Sequence, residues 1–315
     1  MKAAILNQFG NASELQVTHV AKPVANKDQV LIKVMGAGIN PVDTKVRAGT
    51  SAMSKKIQLP EILGFDVSGI AEATGEKVSD FKSGDAVFGC IGFPDMGRAY
   101  AEYAIADPKS LVKKPNNITF EEAAAVSLAG LTAYQAINEH IKLQPKQTIL
   151  IQAAAGGVGH FAVQFAKLEG AYISGTASNK NAEFLKSLGV DKVIDYKNEK
   201  FEDLVSNLDA VLDAMGGEIL YRSIACVKPG GTVVCLPSST KDDPKAIELA
   251  KKHGIKLIWP MMHADNKQLQ RIADLLAQDK LKVHIDKVFN LDQIVEAHKA
   301  VESHSTKGKI VVEMV

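Results

Sequence analysis

Ala154, Gly156 and Gly159 fall in the spacing of a G-x-G-x-x-G dinucleotide turn, with alanine in place of the first glycine. Gly156 has no side chain to hold off a pyrophosphate. Gly159 lets a helix approach a strand closely, and the alanine at 154 requires φ < 0 there. Gly157 and Val158 complete the turn, whose free N–H groups and following helix dipole suit phosphate. Upstream, residues 149–151 form a short apolar run suited to a buried parallel strand. Downstream, Phe161, Val163, Phe165, Ala166 and Leu168 recur at the spacing of a helix packed on a sheet. The competing reading is an ordinary glycine turn in an α/β protein.

The segments that must position this turn follow in regular order. Strands are predicted over 171–176, 193–195, 210–213, 232–236 and 255–259. Helices are predicted over 182–188, 218–227 and 247–253, with breaks at Gly189, Gly216-Gly217 and Pro229-Gly230-Gly231. Such alternation implies a doubly wound parallel sheet. Leu236, closing the fifth strand, then lies at the strand end where ligands bind in open sheets. The second strand runs into Thr176-Ala177-Ser178-Asn179-Lys180, with no carboxylate until Glu183 in the next helix. An acid there would accept from a ribose 2′-OH. Ser178 and Lys180 instead suit a 2′-phosphate, which points to NADPH. A capping serine and a solvated lysine are the plainer alternative.

The flanking segments differ in texture. Residues 2–6, 15–20, 30–34, 67–73 and 86–88 look like short strands between glycine and proline turns, so the first 114 residues read as β-rich. Thr119-Phe120-Glu121-Glu122 fits a capping box opening a helix through 123–126, with a second helix over 131–140. A helix over 267–277 carries Leu269, Ile272, Leu275 and Leu276 on one face. A strand over 283–289, a helix over 291–301 and a strand over 310–313 follow.

With 315 residues the chain has room for two domains, and its formal net charge of +1 favours neither nucleic acid nor an anionic membrane. No apolar run approaches eighteen residues, and the first ten residues lack a long apolar stretch. Neither a membrane span nor a signal peptide is expected. Cys90, Cys226 and Cys235 are odd in number and far apart, so they read as buried thiols of a reducing, cytoplasmic setting. None of the eight histidines has metal-ligand spacing, and His298 and His304 read as surface or cap residues.

Four motifs in order carry a resemblance over nearly the whole chain: residues 38–45 (GINPVDTK), 60–69 (PEILGFDVSG), 81–85 (FKSGD) and 153–167. Together they resemble the zinc-independent quinone oxidoreductases of the medium-chain dehydrogenase/reductase superfamily, most nearly the NADPH-dependent alkenal and enone reductases. The resemblance implies a fold of class α/β: a GroES-like β-rich catalytic domain over 1–121 and 282–315, and an inserted Rossmann domain over 122–281. It places the active site in the cleft. Where the superfamily's zinc branch needs a cysteine and a Gly-His-Glu, this chain has Asn40 and Gly64-Phe65-Asp66, so no metal is expected.

The same resemblance implies the site. Asn40 and Lys45 lie in a motif that lines the cleft, as donors to a developing enolate oxygen. Lys45 is equally open to holding the cofactor, and Asn40 to a structural role at the Pro41 turn. Tyr196, after the third strand, reaches the 2′-phosphate in similar reductases. Thr132 matches a threonine near the nicotinamide. Gly308 and Lys309 match a Thr-Gly-Lys cofactor contact, here with one residue inserted after Thr306. The implied reaction is hydride transfer from NADPH to a quinone or to the C=C of an α,β-unsaturated carbonyl, with no nucleophile or metal needed. A zinc-type alcohol dehydrogenase is one alternative, and a cofactor-binding protein without turnover, as in lens crystallins, is another. The partner is a small molecule, and a homodimer is one assembly open to the chain.

Overall fold

The computed structural model describes residues 1–314; Val315, the last residue of the expected span 282–315, lies outside them. The chain forms two compact units. One holds Met1–Leu131 and the chain from His263 onward, the other Thr132–Met262. The expected ends at 121 and 282 fall inside one helix and just after another.

The first unit contains β1 (Lys2–Leu6), β2 (Leu15–His19), β3 (Val30–Ile39), α1 (Pro41–Arg47), β4 (Glu61–Ile62), β5 (Asp66–Thr74), β6 (Ala86–Cys90), β7 (Tyr103–Ala106), β8 (Leu111–Lys113) and most of α2 (Phe120–Tyr134). The second unit adds β9 (Thr148–Ile151), α3 (Gly159–Leu168), β10 (Tyr172–Ala177), α4 (Ala182–Ser187), β11 (Lys192–Asp195), β12 (Leu208–Asp213), α5 (Gly217–Ala225), β13 (Val227–Cys235), α6 (Pro244–His253) and β14 (Lys256–Ile258). The chain then returns to the first unit with α7 (Asn266–Ala277), β15 (Ile285–Asn290), α8 (Ile294–Glu302) and β16 (Lys309–Glu313).

In the first unit a small sheet runs β2-β1-β4, and a larger one runs β15-β16-β3-β5-β6-β8 with β7 also paired to β3. The late strand β16 thus lies beside the early strand β3, antiparallel, with Ile310 opposite Ile39. Leu6, Ile32, Val34, Ile39, Val67, Val87 and Ile310 are among the apolar side chains that close its core. The second unit is a six-stranded parallel sheet of order β11-β10-β9-β12-β13-β14, the doubly wound arrangement expected from the alternation of strands and helices.

The capping box forms: Glu122 N–H donates to Thr119 Oγ1, and Thr119 N–H to Glu122 Oε2. The helix it opens does not stop at 126. It continues unbroken to Tyr134 and then into a π-helical stretch, Gln135–Ile141, so the two short helices expected there are one. Gly130 in its interior is a packing residue, since a Cβ there would come within 2.9 Å of Val126 Cγ2 and within 3.7 Å of Ile272 on α7.

Candidate functional site

The glycine turn has the expected context of strand, turn and helix, β9 to α3. Ala154 keeps φ < 0, as an alanine there must; the left-handed residue is its neighbour Ala153, at φ +51°. Gly156 N–H bonds to Ala153 O at 2.9 Å, and Ala154 N–H to Thr176 O at 2.9 Å. The two glycines have separate reasons. A Cβ on Gly159 would lie 2.3 Å from Ala153 O, so this glycine brings helix and turn together. A Cβ on Gly156 would meet only Ala153 O, at 3.2 Å, so the space over Gly156 is open. That opening, with Gly157, Val158 and the first turn of the ten-residue α3, fits a pyrophosphate.

Beside the turn, β10 and β11 end in register, Ala177 opposite Asp195. Ser178 and Tyr196 come next on the two strands, and Tyr196 N–H bonds to Ala177 O. Ser178 is buried and stands at the cap of the short helix Asn179–Asn181, but its side chain makes no cap bond. Lys180 is exposed, and so is the Tyr196 ring. Asp195, the nearest acid on β11, is taken up by its own turn, accepting from Lys197 N–H and Asn198 Nδ2. Thr132 is half-buried on α2. Leu236 is half-buried just past β13, its N–H bonded to Asp213 O at 2.8 Å.

In the first unit, register brings a different set together. Lys309 stands one residue before the Ile310–Ile39 pair and so faces Asn40, while Asp66 opens β5 beside Gly38. The Lys309 ammonium donates to Asn40 Oδ1 and, at 3.0 Å, to Ile39 O, and pairs with Asp66 Oδ2 at 3.6 Å. Its three donors therefore face three protein acceptors. Asn40 Nδ2 donates to Asp66 Oδ2 at 2.8 Å, and Leu128 N–H to Asp66 Oδ1 at 2.7 Å. Asp43, three residues into α1, accepts from Asn40 N–H at 2.8 Å. All of these side chains are buried.

Two carboxyls and one ammonium out of water cannot all keep their ordinary titration. Burial pushes Asp43 up to about 7. Burial also raises Asp66 and lowers Lys309, each opposed by the other's charge. Tyr100 is buried next to Asp43, and desolvation raises its phenol well above the ordinary value. Among the described residues Tyr100 Oη and Asp43 Oδ1 have no hydrogen-bond partner of ordinary geometry, although the two groups are close enough to shift each other's titration.

Lys45 lies on the exposed face of α1. Gly308 turns at φ +73°, where a Cβ would strike His284 O at 2.1 Å, so a glycine is required there by the backbone alone. His298 corrects the surface reading. It is fully buried on α8, edge-on to Tyr100 with ring centroids 5.7 Å apart, and neither ring nitrogen has a hydrogen-bond partner among the described residues. Burial and the Arg47 charge lower its pKa to about 3. The three cysteines are buried and unpaired, as expected.

Comparison with known proteins agrees with this layout. Residues 26–116 match the model of the alcohol dehydrogenase GroES-like domain, and 188–312 the model described as zinc-binding dehydrogenase. A 2-methylene-furan-3-one reductase of Solanum lycopersicum is 34% identical over 99% of this chain and 79% of its own length. Among solved structures, the quinone oxidoreductase of Coxiella burnetii superposes with a TM-score of 0.95 at 37% identity, covering 100% of this chain and 99% of its own. The chain belongs to the quinone oxidoreductase-type family of the medium-chain dehydrogenase/reductase superfamily. An Escherichia coli quinone oxidoreductase complexed with NADPH has a TM-score of 0.90 at 25% identity, with both chains fully covered. This family assignment makes the protein an oxidoreductase with a nicotinamide cofactor.

The zinc in one matched description does not fit the residues of this quinone oxidoreductase-type chain. Where ligands would converge, Asn40 and Asp66 already hold an ammonium, and among the described residues no group of three His, Cys, Asp or Glu could hold a metal. Asp43, Tyr100, Gln152, Asp213 and Ser223 are among the buried polar residues that motif reading passed over. Asp43 alone had a local signal, standing in the third helical position after Asn40 and Pro41.

Proposed function

We propose that the protein is an NADPH-dependent, zinc-independent reductase that passes hydride to quinones or to the C=C bond of α,β-unsaturated carbonyls. The observation that carries the reading is the ammonium of Lys309 seated between Asn40 and Asp66. A site wired this way supplies no Lewis acid, so it suits an acceptor that is already electrophilic.

Bound nicotinamide would supply the hydride at its C4. The turn at Gly156 would take the pyrophosphate, and Ser178, Lys180 and Tyr196 the 2′-phosphate. Thr132 and Leu236 would line the cofactor on the second unit. Asn40 keeps one Nδ2 hydrogen beyond the one donated to Asp66. Lys309 and Asp66 fix the amide's orientation, so that hydrogen is a preset donor for an oxygen gaining negative charge. On this reading Lys309, with Gly308 before it, acts on the cofactor side through Asn40, since its own donors are engaged. Lys45, exposed on α1, is a second donor to the acceptor oxygen or to the cofactor.

The test is NADPH consumption against a panel of enones, quinones and saturated aldehydes, before and after dialysis against a strong chelator, with product analysis. Saturated ketone or hydroquinone formed at unchanged rate supports the reading. Allylic alcohol as the main product, or activity that is lost to the chelator and returns with zinc, overturns it.

A further inference from the structure

Three neighbouring strands of the second unit carry, at their carboxyl ends, a buried line of polar side chains that the chemistry above leaves unused. Gly175 of β10 and Leu212 of β12 both stand opposite Ile151 of β9. The next residues along, Thr176, Gln152 and Asp213, therefore lie side by side, and Ser223 reaches the same line from α5. All four are buried.

Ala153 N–H donates to Thr176 Oγ1 at 3.1 Å, and the Thr176 hydroxyl donates to Gln152 Oε1 at 2.7 Å. Gln152 Nε2 donates to Ser223 Oγ at 3.1 Å, and the Ser223 hydroxyl to Asp213 Oδ2 at 3.0 Å. Asp213 Oδ1 accepts from Met215 and Gly216 N–H at 2.8 and 2.7 Å. The carboxylate sets the direction of the whole line. It only accepts, so Ser223 must give it the one hydroxyl proton and receive Gln152 on a lone pair. The Gln152 amide is then oriented with its oxygen toward Thr176, whose proton goes there and whose lone pair is left for Ala153.

The line ends where the turn needs holding. Ala153 is an L-residue in the left-handed region, a conformation that persists only where its surroundings impose it. Its carbonyl receives Gly156 N–H and sits against Gly159, so its position sets the turn. We infer that Asp213, Ser223, Gln152 and Thr176 are positioning residues that hold Ala153 in place and so shape the turn for the cofactor's pyrophosphate. The inference rests on residues 153–159 being the pyrophosphate turn, as proposed above.

The test is isothermal titration of wild type, Thr176→Val, Thr176→Ser and Ser223→Ala with NADPH, NADH and adenosine 2′-phosphate, which lacks the pyrophosphate. Loss of one buried hydrogen bond in the line should weaken both dinucleotides roughly five- to ten-fold. Adenosine 2′-phosphate should stay within about two-fold of wild type. Thr176→Ser should restore dinucleotide binding, and Ser223→Ala, at the far end of the line, should show the same selective loss. Dinucleotide binding unchanged in both Thr176→Val and Ser223→Ala overturns the relay while leaving the cofactor reading intact. Equal loss for adenosine 2′-phosphate also overturns it, because the effect is then general loosening. A wild type that binds neither dinucleotide overturns the cofactor reading and the relay with it.

Discussion

Lys309 and Asn40 are 269 positions apart in the chain and share a hydrogen bond in the buried interior of the first unit. Asp66 completes the group, pairing with the ammonium and accepting from the amide. The ammonium is thus both the counter-charge of a buried carboxylate and the group that orients Asn40.

Lys309→Met tests that double role. It leaves Asp66 buried without its cation, which costs about 3–5 kcal/mol in comparable buried pairs. Urea denaturation should show a loss of that order. Enone or quinone reduction by the folded fraction should fall through kcat, with NADPH affinity little changed. A large loss of NADPH affinity instead would show that Lys309 touches the cofactor.

Asp43 gives a pH signature. Its carboxyl titrates near 3.9 in the unfolded chain and at about 7 in the folded one. Between these values the folded state holds the extra proton, so stability falls as pH rises from about 4 to about 7 and is flat above. Relative to Asp43→Asn, which stays neutral, wild type should lose up to about 4 kcal/mol across that window, at about 1.36 kcal/mol per pKa unit. Melting curves of both proteins at matched pH measure the difference. Parallel pH profiles would mean that Asp43 is ionised throughout.

His298 gives the opposite slope. Its folded pKa of about 3 lies below the ordinary 6.5, so its stability contribution is complete above about 6.5 and is lost as pH falls toward 3. His298→Phe keeps an aromatic edge against Tyr100 and removes the proton site. The variant should resist acid better than wild type below pH of about 6. At pH of about 7.5 it should match wild type or exceed it by about 1 kcal/mol, because two unpaired ring nitrogens are gone.

The two turn glycines separate fold from binding. Gly159→Ala drives a Cβ into Ala153 O and Ala154 Cα, and should destabilise by about 1–3 kcal/mol. Gly156→Val meets little of the protein, so it should fold like wild type yet bind NADPH and NADH far more weakly. Unchanged affinity in Gly156→Val, measured by titration, would remove the turn from the cofactor site.

The proposed preference for NADPH rests on Ser178, Lys180 and Tyr196. Lys180 is exposed, so screening holds its contribution toward the low end for a charge-assisted bond, and Lys180→Ala should weaken NADPH about ten-fold. NADH should be nearly unaffected. Comparison of kcat/KM for the two cofactors decides it; equal wild-type values would place the discrimination elsewhere or nowhere.

The second unit was legible because its signals are local. Short apolar runs, glycine breaks and the turn at 153–159 each specify their own element, and the parallel sheet follows from their alternation. The polar cluster of the first unit was not. Asn40, Asp66 and Lys309 come from three separate segments that the pairing of β3 with β16 and β5 brings together, and Tyr100 joins from a bend outside the strands. His298 was readable in principle, since it lies four residues after Ile294 and next to Ala297 on the buried face of α8. The expected helices over 123–126 and 131–140 are one helix, α2 and its π-helical extension, and Gly130 inside it leaves room for Val126.

The pairing of β16 with β3 bears on how the chain matures during synthesis. Thr132–Met262 is continuous, so it can fold as soon as it has been made. The first unit has to wait. Its central strand β3 is translated early, but β16, the strand beside it, and the ammonium that neutralises Asp66 come last among the described strands. Until then the 36–39 end of β3 has an open edge and Asp66 lacks its ammonium, so the half translated first is the half completed last. The stretch of nascent chain around residues 36–39 is accordingly where a chaperone holding incomplete chains would find an unpaired strand edge.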